Sequence, residues 1–169
     1  MYVLTAFVIT KNIMQMKKGT RSPGERRRTD CPEEAAFLNL MRTTDMLSRG
    51  LVKVLKTEGL SATQYNVLRI LRGARKGLAC GEIAARMITR DPDITRLLDR
   101  LEKRSLISRS RETGDRRTVM ARITADGLKI LARLDKPVAD FHRKQLSHMG
   151  QRRLGLLTEL LGAARAEAG

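Results

Sequence analysis

At 169 residues, 41% hydrophobic and 31% charged, the chain holds enough apolar material for one cored domain with helical extensions, which excludes wholesale disorder. A formal net charge of +16, from 34 Lys and Arg against 18 Asp and Glu, brings self-repulsion and points to a polyanionic partner, nucleic acid ahead of an anionic membrane surface. The 3% aromatic content, without Trp, speaks against the stacking platforms that single strands need.

Residues 1–31 read as a flexible basic arm. Met1 to Ile13 are apolar apart from Thr, Asn and Lys11. No charge precedes the run and no small-residue cleavage site follows it, so it does not fit a secretory signal. We read residues 1–13 as a mis-called start, with Met14 or Met16 the true one; the alternative is an added strand or helix at a dimer interface. Residues 14–30 carry Lys17, Lys18 and Arg26 to Arg28, include Pro23 and Gly24, and lack an apolar period. Such a run is either solvated or laid on phosphates.

A long helix is expected from Pro32. Asp30 or Cys31 precedes this proline at the first helical position, and Glu33 and Glu34 suit the positive helix end. Phe37, Leu40, Met41, Leu47, Leu51, Val54 and Leu55 then recur at helical spacing until Gly59. Ser61 and Gln64 form a capping box for a second helix with Tyr65, Val67, Leu68 and Leu71, which Gly73 breaks. Leu78–Cys80 suits a short strand, and Glu82–Met87 a brief helix. Asp91-Pro92 opens a fourth helix running to about Arg104, because Asp caps free amides and Pro needs no hydrogen-bonded N–H there. Ile94, Leu97, Leu98 and Leu101 make one buried stripe and leave Thr95, Arg96, Asp99, Arg100 and Lys103 outside. A short helix, a tight turn and a helix with a basic outer face are the helix-turn-helix arrangement. Thr95, Arg96, Arg100 and Lys103 are therefore the candidate DNA contacts, with Arg or Lys suited to guanine edges or phosphates.

Ile107–Arg111 and Thr118–Ile123 alternate as strands do, around the charged, turn-rich Glu112–Arg117. Together they make a hairpin, or wing. An Arg at such a tip can enter the narrow, electronegative minor groove, and an Asp two residues earlier can hold its guanidinium. Asp115, Arg116 and Arg117 are the candidates. Thr124 can cap a helix carrying Leu128, Ile130, Leu131 and Leu134, which Pro137 is expected to kink. A last helix after Ser147 presents Leu154, Leu157, Leu160 and Leu161.

The expected fold class is mainly α with a small β-hairpin wing: a winged helix-turn-helix domain plus a helical dimerisation region. Residues 32–58 form a dimerisation helix, 59–124 the DNA-binding domain and 125–169 the C-terminal dimerisation helices. The apolar faces of the first and last helices have too little chain around them to be covered within one subunit, so a homodimer on an inverted-repeat site in double-stranded DNA is expected. Cys31 and Cys80 are too few for a disulfide framework; we read Cys80 as a small buried residue and Cys31 as a helix-start residue, in a reducing cytoplasm. His142 and His148 stand six apart with no Cys or acidic cluster, so no metal or other cofactor is expected. No run after residue 30 approaches the ~18 apolar residues of a membrane span. Without a nucleophile–base pair or phosphate loop, an enzyme is not expected.

The stretch from about Glu33 to Arg165 resembles the MarR family of bacterial regulators. Three pieces carry the likeness: Leu60–Leu68, Ile94–Arg104, and Asp115-Arg116-Arg117 followed by Ile123-Thr124-Ala125-Asp126-Gly127. The resemblance implies a dimer with interlocked first and last helices, a wing pair formed by Asp115 and Arg117, and a repressor that a small phenolic or other amphipathic ligand releases from DNA. Two departures stand out. Ser105 replaces the Gly usual after the recognition helix, which predicts a differently terminated helix. Some relatives sense peroxide through a cysteine inside the first helix; the counterpart here lies near Phe37, so that chemistry does not carry over to Cys31. Two other readings remain: an architectural DNA-binding protein without an effector, and, more remotely, a winged-helix module of a nucleic-acid enzyme.

Overall fold

The computed structural model describes residues 31–74, 76–89, 91–111 and 119–166. The basic arm up to Asp30 and the wing tip with Asp115, Arg116 and Arg117 lie outside the described residues. In chain order the elements are α1 (Pro32–Lys56), α2 (Ala62–Gly73), β1 (Leu78–Ala79), α3 (Cys80–Arg86), α4 (Ile94–Lys103), β2 (Ile107–Arg111), β3 (Val119–Ile123), α5 (Ala125–Leu146), a 3-10 turn (Ser147–Met149) and α6 (Gly150–Ala166). The architecture is mainly helical with one small antiparallel sheet of order β1-β3-β2.

The chain divides into two units, Met1–Leu40 and Met41–Gly169. The described part of the first is the start of α1. Pro32 opens the helix with Glu33 and Glu34 in its first turn, as expected from the sequence. Cys31 precedes it, exposed, its thiol donating to the Glu33 carboxylate at 3.2 Å. Phe37 and Leu40 are exposed.

In the second unit α1 ends by a left-handed turn. The amide of Gly59 donates to the Lys56 carbonyl and that of Leu60 to the Leu55 carbonyl, with Gly59 at φ 64°. This is the Schellman pattern, and it places Leu60 against Leu55, both in the core. The Ser61–Gln64 capping box opens α2, with the Ser61 hydroxyl accepting from the Gln64 amide at 3.1 Å and the Gln64 side chain accepting from the Ser61 amide at 3.0 Å. The apolar stripes of α2, α3, α4 and α5 then converge on one core. Leu55, Val67, Leu68, Ile83, Leu101 and Leu131 are fully enclosed there. Each such side chain contributes about 1.5–3 kcal/mol of burial.

Several boundaries differ from the sequence reading. α3 begins at Cys80 instead of Glu82, because the Glu82 carboxylate accepts from the Ala79 amide at 2.9 Å and pulls the first turn forward. Cys80 is accordingly half-buried at a helix start, packed against the core and not enclosed in it. The expected strand shrinks to Leu78 and Ala79, paired with Ala121 and Met120. α4 begins at Ile94, and its cap is Asp93. The Asp91 carboxylate instead accepts from the Asp93 amide at 2.9 Å, closing a turn through Pro92 that delivers Asp93 to the cap position. Pro137 lies inside α5, which runs on through it to Leu146.

Candidate nucleic-acid interface

α3, the turn after it and α4 are built to hold one face of α4 outward. Asp93 caps α4 by accepting from the Arg96 amide at 3.2 Å. Leu97, Leu98 and Leu101 lock the helix into the core at 2% exposure or less, so its opposite face cannot turn inward. Thr95, Arg96, Arg100 and Lys103 are all exposed on that face. The structure therefore brings together the four sequence candidates it describes on this helix. Arg96 lies over the helix start, 3.1 Å from the Asp93 carboxylate, and the Arg100 Nε donates to the Arg96 carbonyl at 3.2 Å. Both guanidiniums keep donors free for a ligand.

The far end of α4 is fixed from two sides. Ser105 adopts φ 57°, with its amide on the Glu102 carbonyl at 2.7 Å and the Leu106 amide on Leu101 at 3.0 Å. This is the same left-handed ending that Gly59 gives α1. The sequence reading of a different termination is thus corrected: the geometry is kept and a serine is held in it, at a conformational cost that glycine would not carry. Thr124 binds the turn, its hydroxyl donating to the Ser105 carbonyl at 2.7 Å while it caps α5 through the Gly127 amide at 3.1 Å. Gly127 has to be glycine, since a Cβ there would sit 2.3 Å from the Leu106 carbonyl oxygen. On the other side Arg104 donates to the carbonyls of Gly59 and Glu58 at 2.7 and 3.1 Å, a cation on the negative end of α1.

Sequence reasoning missed the ion cluster between α4 and β2. The Arg109 Nη2 lies 2.6 Å from both the Asp99 and the Glu102 carboxylates, and the Arg109 amide donates to Glu102 at 3.0 Å. The hydrogen bonds from Arg109 hold the Glu102 carboxyl below its ordinary value of 4.5. The available signal was the pair of carboxylates three apart on a helix otherwise basic outside, which needs a cation nearby. Beside this cluster lies a cavity of about 410 Å³ lined by Cys80, Gly81, Thr95, Leu98, Arg109 and Val119 among others. Among the described residues no group of three or more His, Cys, Asp or Glu side chains has a metal-binding arrangement, and no helix is long and apolar enough to cross a membrane.

Comparisons with known proteins agree with this geometry. The MarR family model matches residues 60–119, which span α2 to the first residue of β3. The transcriptional regulator PecS of Dickeya dadantii is 30% identical over 125 residues, 73% of this chain and 75% of PecS. A crystal structure of a MarR transcription factor from Planctomyces limnophilus is 39% identical, with a TM-score of 0.62 over 80% of this chain and 99% of that one. A cysteine-to-serine mutant of MarR from E. coli, complexed with operator DNA, shares the fold at 22% identity and a TM-score of 0.65, covering 76% and 95% of the two chains.

Proposed function

The chain belongs to the MarR family of DNA-binding transcription regulators, and from that premise we propose that a dimer of it sets two copies of α4 into successive major grooves of an inverted-repeat operator. Being a regulator of this family, the protein is not an enzyme. The observation that carries the reading of the site is the outward face of Thr95, Arg96, Arg100 and Lys103 on a helix pinned by three buried leucines. Arg96 and Arg100 read base edges or phosphates, and Asp115 with Arg116 and Arg117 follows the minor groove from the wing tip.

The second copy is needed by the helices outside the winged domain. No residue of α6 is buried, and Leu156 and Leu160 stand 55% and 59% exposed. Met41 and Met46 on α1 are exposed as well. Covering those faces by an identical subunit removes them from water and sets half-sites ~10 bp apart or a multiple of it. A small amphipathic effector that releases a cytoplasmic repressor completes the reading. The open groove of about 410 Å³ beside Thr95 borders the proposed DNA face and is one place where such an effector could bind. An architectural protein without an effector is the competing reading, and it requires binding without sequence preference.

Selection of bound duplexes from a random pool tests both readings. Recovery of one inverted repeat is expected, with Arg96→Ala changing the recovered sequence and Arg117→Ala weakening binding by about 1–3 kcal/mol. Recovery of unrelated sequences at equal affinity would reject a sequence-specific regulator in favour of the architectural one.

A further inference from the structure

We propose that Arg109 is a positioning residue for DNA binding: it neutralises Asp99 and Glu102, the two carboxylates of the recognition helix, and so keeps negative charge away from the DNA phosphates while fixing β2 against α4. The inference rests on the reading that α4 faces DNA.

α4 carries Arg96, Arg100 and Lys103 for a polyanion, yet it also carries Asp99 and Glu102. Asp99 sits between Arg96 and Arg100 in sequence and its side chain is 40% exposed. A free carboxylate there would oppose every phosphate contact made by its neighbours. The Arg109 side chain, 26% exposed, reaches both carboxylates at 2.6 Å, and its Nε adds a bond to Glu102 at 2.8 Å. One fork thus satisfies two acids, a geometry that a lysine cannot copy. The position is set by the sheet: Arg109 pairs with Ala121 of β3, and its own amide is held by Glu102 at 3.0 Å, so β2 is tied directly to α4. Where Glu102 and Asp99 face each other without the guanidinium, they repel; Asp99 already acts to raise the Glu102 pKa against the stronger lowering by Arg109.

The test is a charge-rescue cycle on a duplex that the parent selects from a random pool, with Kd measured at several salt concentrations beside the melting temperature. Arg109→Ala is expected to weaken binding about tenfold at low salt, with the loss shrinking as added salt screens the unmasked carboxylates. Asp99→Asn added to it should recover about fivefold, whereas the same change in the parent should do much less. Arg109→Lys carries the same cycle where the alanine variant does not fold: the ammonium serves one carboxylate, so Asp99→Asn should again gain affinity. Effects of positions 99 and 109 that simply multiply, while Arg100→Ala still weakens binding, would overturn the masking role alone. Parental affinity in both Arg96→Ala and Arg100→Ala would reject the DNA-facing assignment of α4 and with it this inference.

Discussion

α4 and α6 carry leucines at the same helical period and meet opposite fates. Leu97, Leu98 and Leu101 are enclosed by α2, α3 and the sheet, with at most 2% of each exposed. In α6, Leu154, Leu157 and Leu161 are only half-buried and Leu156 and Leu160 are open. The difference lies in what the chain places opposite each stripe. α4 is saturated within one subunit, so its polar face alone remains for a ligand, whereas α6 keeps an apolar face that one subunit leaves in water. The proposed DNA contact and the proposed subunit contact therefore rest on different helices, and each can be broken separately.

The largest effect is expected in the saturated region. Leu101→Ala removes a fully enclosed side chain and should destabilise the fold by about 3 kcal/mol, seen as a lower melting temperature at every protein concentration. A loss below about 1 kcal/mol would mean that the stripe is not the anchor of α4. Leu160→Asp should instead act on association. If the proposed dimer forms through α6, sedimentation should show the parent as a dimer and this variant as a monomer, with operator affinity falling because two half-sites no longer act together. Unchanged sedimentation of Leu160→Asp would remove α6 from the interface.

The same contrast explains what was legible in the sequence. The stripe of α4, the capping box at Ser61, the start of α1 at Pro32 and the alternation in β2 and β3 all follow from local periodicity or from a side chain meeting an amide three residues away. The sequence could not assign Asp93 over Asp91 as the cap, since both precede the helix and only the Asx turn through Pro92 decides. Nor could it join Arg109 to Asp99, or Arg104 to the carbonyls of Glu58 and Gly59, because these partners meet only after the helices have packed. Residues that contact solvent were found by pattern; residues that position them required the tertiary arrangement.

Ser105 offers a finer test of how firmly α4 is held. Its φ of 57° is retained by the Glu102, Leu101 and Thr124 hydrogen bonds around it. Ser105→Gly should stabilise the protein by about 1 kcal/mol, since glycine accepts the left-handed conformation that the serine Cβ resists. Denaturant midpoints measure it. A destabilised variant would mean that chain entropy released in the unfolded state outweighs the relieved strain.

The smallest effect concerns the junction between the end of α1 and α5. Glu58, in the turn that follows α1, binds Arg133 of α5 through two bonds of 2.8 and 2.7 Å, and this pairing holds its carboxyl below the ordinary 4.5. A carboxylate with a lowered pKa in the folded state adds stability that is complete above the unfolded value and is lost as pH falls through the folded one. Glu58→Gln should therefore melt slightly below the parent near neutral pH. The gap should close as pH drops beneath 4.5, where the parent's carboxyl takes up its proton too. Arg133 stays charged throughout, so the closing gap would report Glu58 alone. Parallel melting curves from pH 7 down to pH 3 decide the matter: a gap that stays constant would show that Glu58 acts by packing over the Arg104-capped turn, and a gap that never appears would mean that water serves Arg133 as well as the carboxylate does.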